Sequence, residues 1–135
     1  MSFVLDASVA LSWCFRDEGG AYALKQLERL RVEEAFVPAL WTLEISNALL
    51  VAERRGRMEA VPAMEAMDFL LSLPIAMDPP ERARDFSATY RLARTHGLSS
   101  YDAAYLELAL RLRIPLATLD AGLRKAAKKE GVGAG

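Results

Sequence analysis

Four acids in this sequence stand where a carboxylate needs a reason. Asp102 lies in the opening turn of an apolar-periodic helix, and Asp120 closes the short run Pro115–Leu119 before another helix begins. Asp6 repeats that arrangement near the start of the chain, where Phe3-Val4-Leu5 runs into it and Ala7-Ser8 opens further helical pattern. Glu44 falls inside Leu40–Arg54, a segment made apolar on nearly every face by Trp41, Leu43, Ile45, Ala48, Leu49, Leu50 and Val51. Taken singly, Asp6 and Asp120 are explained as N-caps, and Asp102 as the far half of a Ser99-x-x-Asp102 capping box. Glu44 is not, because a carboxylate on such a helix must be paired, for instance with an arginine, or bound to a cation. Taken together, acids converging within roughly 4–6 Å repel one another and raise one another's pKa, and a divalent cation relieves that repulsion. Carboxylate and water oxygens suit magnesium or manganese. Such ions polarise a phosphoryl oxygen and activate bound water, and two of them ~3.5–4 Å apart clamp the attacking and leaving oxygens.

Other chemistries lack their residues. With one cysteine and one histidine in 135 residues, a Cys/His zinc framework is ruled out. His96, just before Gly97, suits the charge or cap of a helix end rather than a Ser-His-Asp triad. There is no glycine-rich phosphate loop followed by Lys-Ser/Thr, and a phosphoaspartate enzyme would want a second acid where Ser8 stands. Cys14, between Trp13 and Phe15, reads as a small buried residue. A net charge of -1 gives no global case for tight nucleic-acid binding, so any such contact is local. The candidates are Arg54, Arg55 and Arg57 in a turn between helices, and Arg124, Lys125, Lys128 and Lys129 on the last helix, although lysines late in a helix also complement its dipole. No apolar run reaches the ~20 residues of a membrane helix, and Ala7–Phe15 has neither a basic leader nor a cleavage site. A cytoplasmic protein without membrane contact is expected.

The elements that must position the acids follow from periodicity. Strands are expected at Ser2–Leu5, Ala35–Val37, Pro74–Met77 and Pro115–Leu119. Helices are expected from Ser8 to Phe15, ending in the polar break Arg16-Asp17-Glu18-Gly19-Gly20, then through Ala23, Leu24, Leu27 and Leu30, and over Leu40–Arg54. A Met-rich helix, Glu59–Leu71, completes a hairpin with the last of these, with Met64 and Met67 as core filler. Asp78 reads as the N-cap of the next helix, with proline at its first position and Ala83, Phe86, Tyr90 and Ala93 on one side. Helices over Tyr101–Arg113 and Leu123–Lys129 follow. Gly131–Gly135 reads as a frayed tail or a stunted strand. Strands alternating with helices imply an α/β fold, one domain over residues 1–135, with a short, mainly parallel sheet flanked by helices. All strands then share one carboxyl edge, where open sheets of this kind bind ligands.

Val4-Leu5-Asp6-Ala7-Ser8, Glu44-Ile45-Ser46-Asn47-Ala48-Leu49, Ser99-Ser100-Tyr101-Asp102-Ala103 and Ala117-Thr118-Leu119-Asp120 resemble, in order, the four acidic motifs of PIN-domain ribonucleases, VapC toxins above all. The resemblance covers essentially the whole chain. It implies a PIN-like three-layer fold and a metal-dependent endoribonuclease, the toxin of a type II toxin-antitoxin pair. It further implies that Asp6, Glu44, Asp102 and Asp120 hold one or two Mg2+ or Mn2+ ions. Ser8 and Thr118 would position carboxylates or water through their hydroxyls, and Asn47, one turn beyond Glu44, would face the same site. A homodimer and a cognate antitoxin are implied as well, the latter laying a peptide along the groove and inserting a basic side chain among the acids. The apolar Leu40–Val51 stretch and the Met-rich helix are candidate surfaces. The tail departs from the family pattern, since only Val132 favours the fifth strand. Two alternatives stand beside this reading: a non-catalytic PIN-like binding or dimerisation module, and a structural α/β domain whose acids are caps.

Overall fold

The computed structural model describes residues 1–15 and 19–135. Arg16, Asp17 and Glu18 of the expected polar break lie outside the described residues. The short apolar runs form β1 (Ser2–Leu5), β2 (Glu34–Val37), β3 (Ile75–Met77) and β4 (Leu116–Ala117), hydrogen-bonded in the order β3-β2-β1-β4. All pairings are parallel, with Phe3 opposite Ala35, Leu5 opposite Ala117 and Phe36 opposite Ala76. Phe3, Val4 and Leu5 are fully buried, as a strand covered on both faces requires.

Between the strands run α1 (Ala7–Cys14), α2 (Gly20–Arg29), α3 (Trp41–Arg54) and α4 (Ala60–Leu71), then α5 (Arg82–Arg84), a π-helical segment (Asp85–Thr89), α6 (Tyr90–His96), α7 (Ser100–Leu112) and, after β4, α8 (Ala121–Lys129). Because crossovers between parallel strands are right-handed, the steps from β1 to β2 to β3 lay α1–α4 on one face. The reversed step from β3 to β4 lays α5–α7 on the other. The packing agrees: α1 contacts α2, α3 and α4, whereas α7 contacts α6, α8 and the π segment. The direction of winding therefore switches between β1 and β4. Gly19 caps α2 at φ 76°, and a Cβ there would meet Ala23 Cβ at 2.5 Å and Ser12 Oγ at 2.6 Å, so both conformation and packing demand glycine.

Several expectations are corrected. Asp78 does not cap a helix. Pro80 disfavours helical backbone at Pro79, as Pro79 does at Asp78, so the helix waits until Arg82 with Glu81 at its N-cap. Asp78 instead accepts from Arg84 Nη1 (3.1 Å) and Arg111 Nη2 (2.7 Å). The π segment inserts extra backbone that turns the helix out of register. Phe86 is 86% exposed and Tyr90 also faces solvent, while Thr89 and Ala93 are buried. Helix α3 buries a single stripe, Trp41, Ile45, Leu49 and Ala52, and leaves Leu43 73% exposed. Met67 packs against the core but Met64 is exposed. His96 is not a simple helix cap, for its Nε2 lies 2.6 Å from Glu130 Oε2. Cys14 is partly buried, and burial pushes its thiol up. The tail forms a single parallel bridge, Leu116 to Ala134, the remnant of a fifth strand.

Candidate functional site

The four acids are delivered by four different segments. Asp6 follows β1 directly, its amide donating to the Ala117 carbonyl at 3.0 Å and so extending the sheet by one residue. The carboxylate of Asp6, although at the N-cap position, gives α1 no side-chain cap. Its Oδ2 instead accepts from Ser8 Oγ at 2.6 Å and Thr118 Oγ1 at 2.7 Å. Ser8 Oγ and Thr118 Oγ1 also receive the amides of Leu119 and Asp120, each at 3.0 Å. One hydroxyl pair thus joins the ends of β1 and β4 through a buried carboxylate. Asp120 is exposed and does cap α8, accepting from the Leu123 amide at 3.0 Å.

Glu44, in the first turn of α3, is partly buried, and its partner is no arginine: the Tyr105 hydroxyl donates to Glu44 Oε1. Tyr105 is fully buried on α7, three residues beyond Asp102. Burial and the carboxylate beside it hold its hydroxyl above the ordinary tyrosine range. Asp102 realises half of the capping box, its amide donating to Ser99 Oγ at 3.1 Å. Asn47 is exposed, on the turn after Glu44.

Electrostatics tie the four together. Asp6 is raised above the usual carboxylate range by burial, against the pull of the Ser8 and Thr118 hydroxyls, and Asp120 raises it further. Glu44 is raised by burial, opposed by Tyr105, with added repulsion from Asp6 and Asp102. Asp102 is raised by burial and then by Asp6 and Asp120. The ion pairs made by Arg29, Arg31, Arg84 and Arg111 involve none of the four acids. Four repelling oxygen donors without a basic partner among the described residues suit a hard divalent cation. Among the described residues no three acids yet converge on a common ion position, so a shared ion requires side chains to turn inward. The exposed Asp120 is the acid with most freedom to do so.

Of the basic candidates, Arg124 and Lys125 lie in the first two turns of α8, beside Asp120. Lys128 and Lys129 close that helix. Arg54 ends α3, about 15 Å along the axis from Glu44. Arg55 caps α3, and Arg57 lies 4.6 Å from the centre of the Phe15 ring. Sequence reasoning missed Tyr105, which reads as one more apolar position of α7. The available signal was that a buried tyrosine hydroxyl needs an acceptor.

A parallel sheet that changes winding direction between two acid-tipped strands defines an α/β domain with an acidic crevice at the carboxyl edge of its sheet. The chain belongs to the PIN domain family, which it matches over residues 3–129. Within that family it is similar to Ribonuclease VapC12 of Mycobacterium tuberculosis, 32% identical over 121 residues, 89% of this chain and 88% of the relative. Ribonuclease VapC3 of Pyrobaculum aerophilum is 28% identical over 120 residues, 89% and 90% of the two chains. The crystal structure of PAE2754 from Pyrobaculum aerophilum has a TM-score of 0.71 at 25% identity, covering 99% of this chain and 83% of that one. VapBC2 from Rickettsia felis, solved bound to a DNA fragment from its promoter, shares the fold at TM-score 0.69 and 11% identity, covering 100% and 98%.

Proposed function

We propose that this chain is a metal-dependent endoribonuclease and the toxin of a type II toxin-antitoxin pair. The observation that carries the reading is the gathering of Asp6, Glu44, Asp102 and Asp120 at the switch point of the sheet, mutually repelling and without a basic partner among the described residues. The similarity to VapC ribonucleases supports RNA as the substrate, and the fold shared with VapBC2 supports an antitoxin as partner.

In this reading the four acids hold one or two Mg2+ or Mn2+ ions. Such ions, when bound, polarise the scissile phosphate and lower the pKa of a coordinated water. Asp6 is the fixed donor, buried and aimed by Ser8 and Thr118. Glu44 is oriented by Tyr105. Asp102 and Asp120, on the first turn and at the N-cap of their helices, would supply the remaining two donors. Because ligation would use the ionised carboxylates, binding is expected to be tighter at higher pH. Arg54, Arg55, Arg57, Arg124 and Lys125 contact the RNA backbone, and Asn47 faces the site from α3.

The test is cleavage of single-stranded RNA by protein free of contaminating nuclease. Cleavage is expected with Mn2+ or Mg2+ and lost in chelator or on Asp6→Asn, whereas full activity in chelator would overturn the metal mechanism. Manganese is expected to raise the Tm of the native chain, by about 2.7 kcal/mol of stabilisation at a hundredfold excess over Kd, and not that of Asp6→Asn. A folded protein with neither cleavage nor a manganese response is the non-catalytic module instead.

A further inference from the structure

Helix α8 starts immediately after Asp120, and Arg124 lies one turn along it, its amide bonded to the Asp120 carbonyl at 2.9 Å. The Arg124 side chain folds back toward the acids. Its Nη2 donates to the Thr118 carbonyl at 2.5 Å, and its guanidinium lies 5.1 Å from the centre of the Tyr22 ring on α2. Thr118 is the residue whose hydroxyl donates to Asp6 Oδ2. The guanidinium is therefore held on the carbonyl of the residue whose hydroxyl binds Asp6.

What holds it there is informative. An arginine among carboxylates ordinarily pairs with one, in a bidentate fork. Among the described residues Arg124 makes no ion pair: a carbonyl and an aromatic face station it instead. Paired, it would neutralise an acid and compete with a cation for the same oxygens. Stationed this way, it leaves the acids free and keeps donors of its own, since a guanidinium carries five N–H groups and the carbonyl occupies one. Arg124 is exposed, so those donors are open to solvent. An unpaired guanidinium fork recognises an oxyanion, and on a ribonucleic acid chain that oxyanion is a phosphate.

We propose that Arg124 is a substrate contact, donating to a non-bridging oxygen of a phosphate beside the one that is cut, with Tyr22 and the Thr118 carbonyl holding it in that position. The proposal rests on the ribonuclease reading and gives it a direction: the RNA strand passes over the start of α8. Arg54, about 15 Å from Glu44 along α3, would meet the strand farther from the cut.

The test is binding of a fluorescent single-stranded oligoribonucleotide, followed by anisotropy over a range of salt, in the cleavage-silent Asp6→Asn background. Adding Arg124→Gln is expected to weaken binding about tenfold at low salt and to reduce the slope of log K against log salt by about 0.7, the value for one phosphate contact on a single strand. Arg124→Lys should keep the slope and recover only part of the affinity, because a point charge lacks the fork. Unchanged affinity and slope in Arg124→Gln would overturn the proposal while leaving cleavage by the native chain intact. So would loss of the manganese thermal shift in a chain carrying Arg124→Gln alone, since the residue would then serve only to position Thr118. If the native chain fails to cleave RNA yet the slope still changes with Arg124, the contact stands and the catalytic reading falls.

Discussion

Asp6, Glu44 and Asp102 keep their protons to higher pH than free carboxyls, in each case chiefly because burial strips water from the charge. The folded chain therefore binds these protons more tightly than the unfolded chain. The stability they contribute is complete below the unfolded values of 3.8 and 4.5 and is lost as pH rises through the folded ones. Glu33 has the opposite sign: its hydrogen bond from Arg29 lowers it, and its contribution disappears in acid. Metal-free protein should accordingly show a Tm that rises as pH is lowered from the alkaline side toward those unfolded values. Asp6→Asn should exceed the native Tm at the alkaline end and converge with it at the acid end. A native Tm that only declines over that range would refute the burial argument. Tyr105→Phe removes a bond that favours the charged form of Glu44, so its cost, roughly 1.5–3 kcal/mol for a hydrogen bond to a charged group, should be larger at pH 8 than at pH 5 in denaturant melts. At this scale the sequence showed which acids were unusual. Glu44 was conspicuous on an apolar helix, but its partner was illegible because Tyr105 comes 61 residues later.

At the scale of elements, capping rules worked where one signal acted alone and failed where two competed. Ser99 caps α7 and Asp120 caps α8. After Asp78 a second proline overrode the first, and the π segment shifted a helical pattern that had placed Phe86 and Tyr90 inside. The end of α7 offers a test. Arg113 occupies a left-handed C-cap at φ 58°, a conformation costly for a side chain with a Cβ. Arg113→Gly is expected to raise stability by up to about 1 kcal/mol, measured by thermal or denaturant unfolding, because the favourable cap conformation outweighs the added chain entropy. A loss of stability would mean that the arginine side chain makes the larger contribution.

At the scale of the whole molecule, helices α3 and α4 present Leu43, Leu50, Val61, Met64, Phe69 and Leu71 to solvent. The homodimer that the family resemblance implies should appear as twice the chain mass by light scattering, and Leu43→Glu with Leu71→Glu should lower that mass if these helices form its interface. An unaltered mass would place the contact on another face. No helix of the described residues is long and apolar enough to cross a membrane. The sequence by itself determined the alternation of strands and helices and the identity of the four acids, because periodicity and capping act over a few residues. Only the tertiary structure decided that Asp6 is not a cap, that Tyr105 serves Glu44, and that Arg124 is held by the Thr118 carbonyl and the Tyr22 ring. Those outcomes depend on contacts between distant segments, Thr118 meeting Asp6 across 112 positions and Tyr105 meeting Glu44 across 61, which the reversal of winding between β1 and β4 brings together.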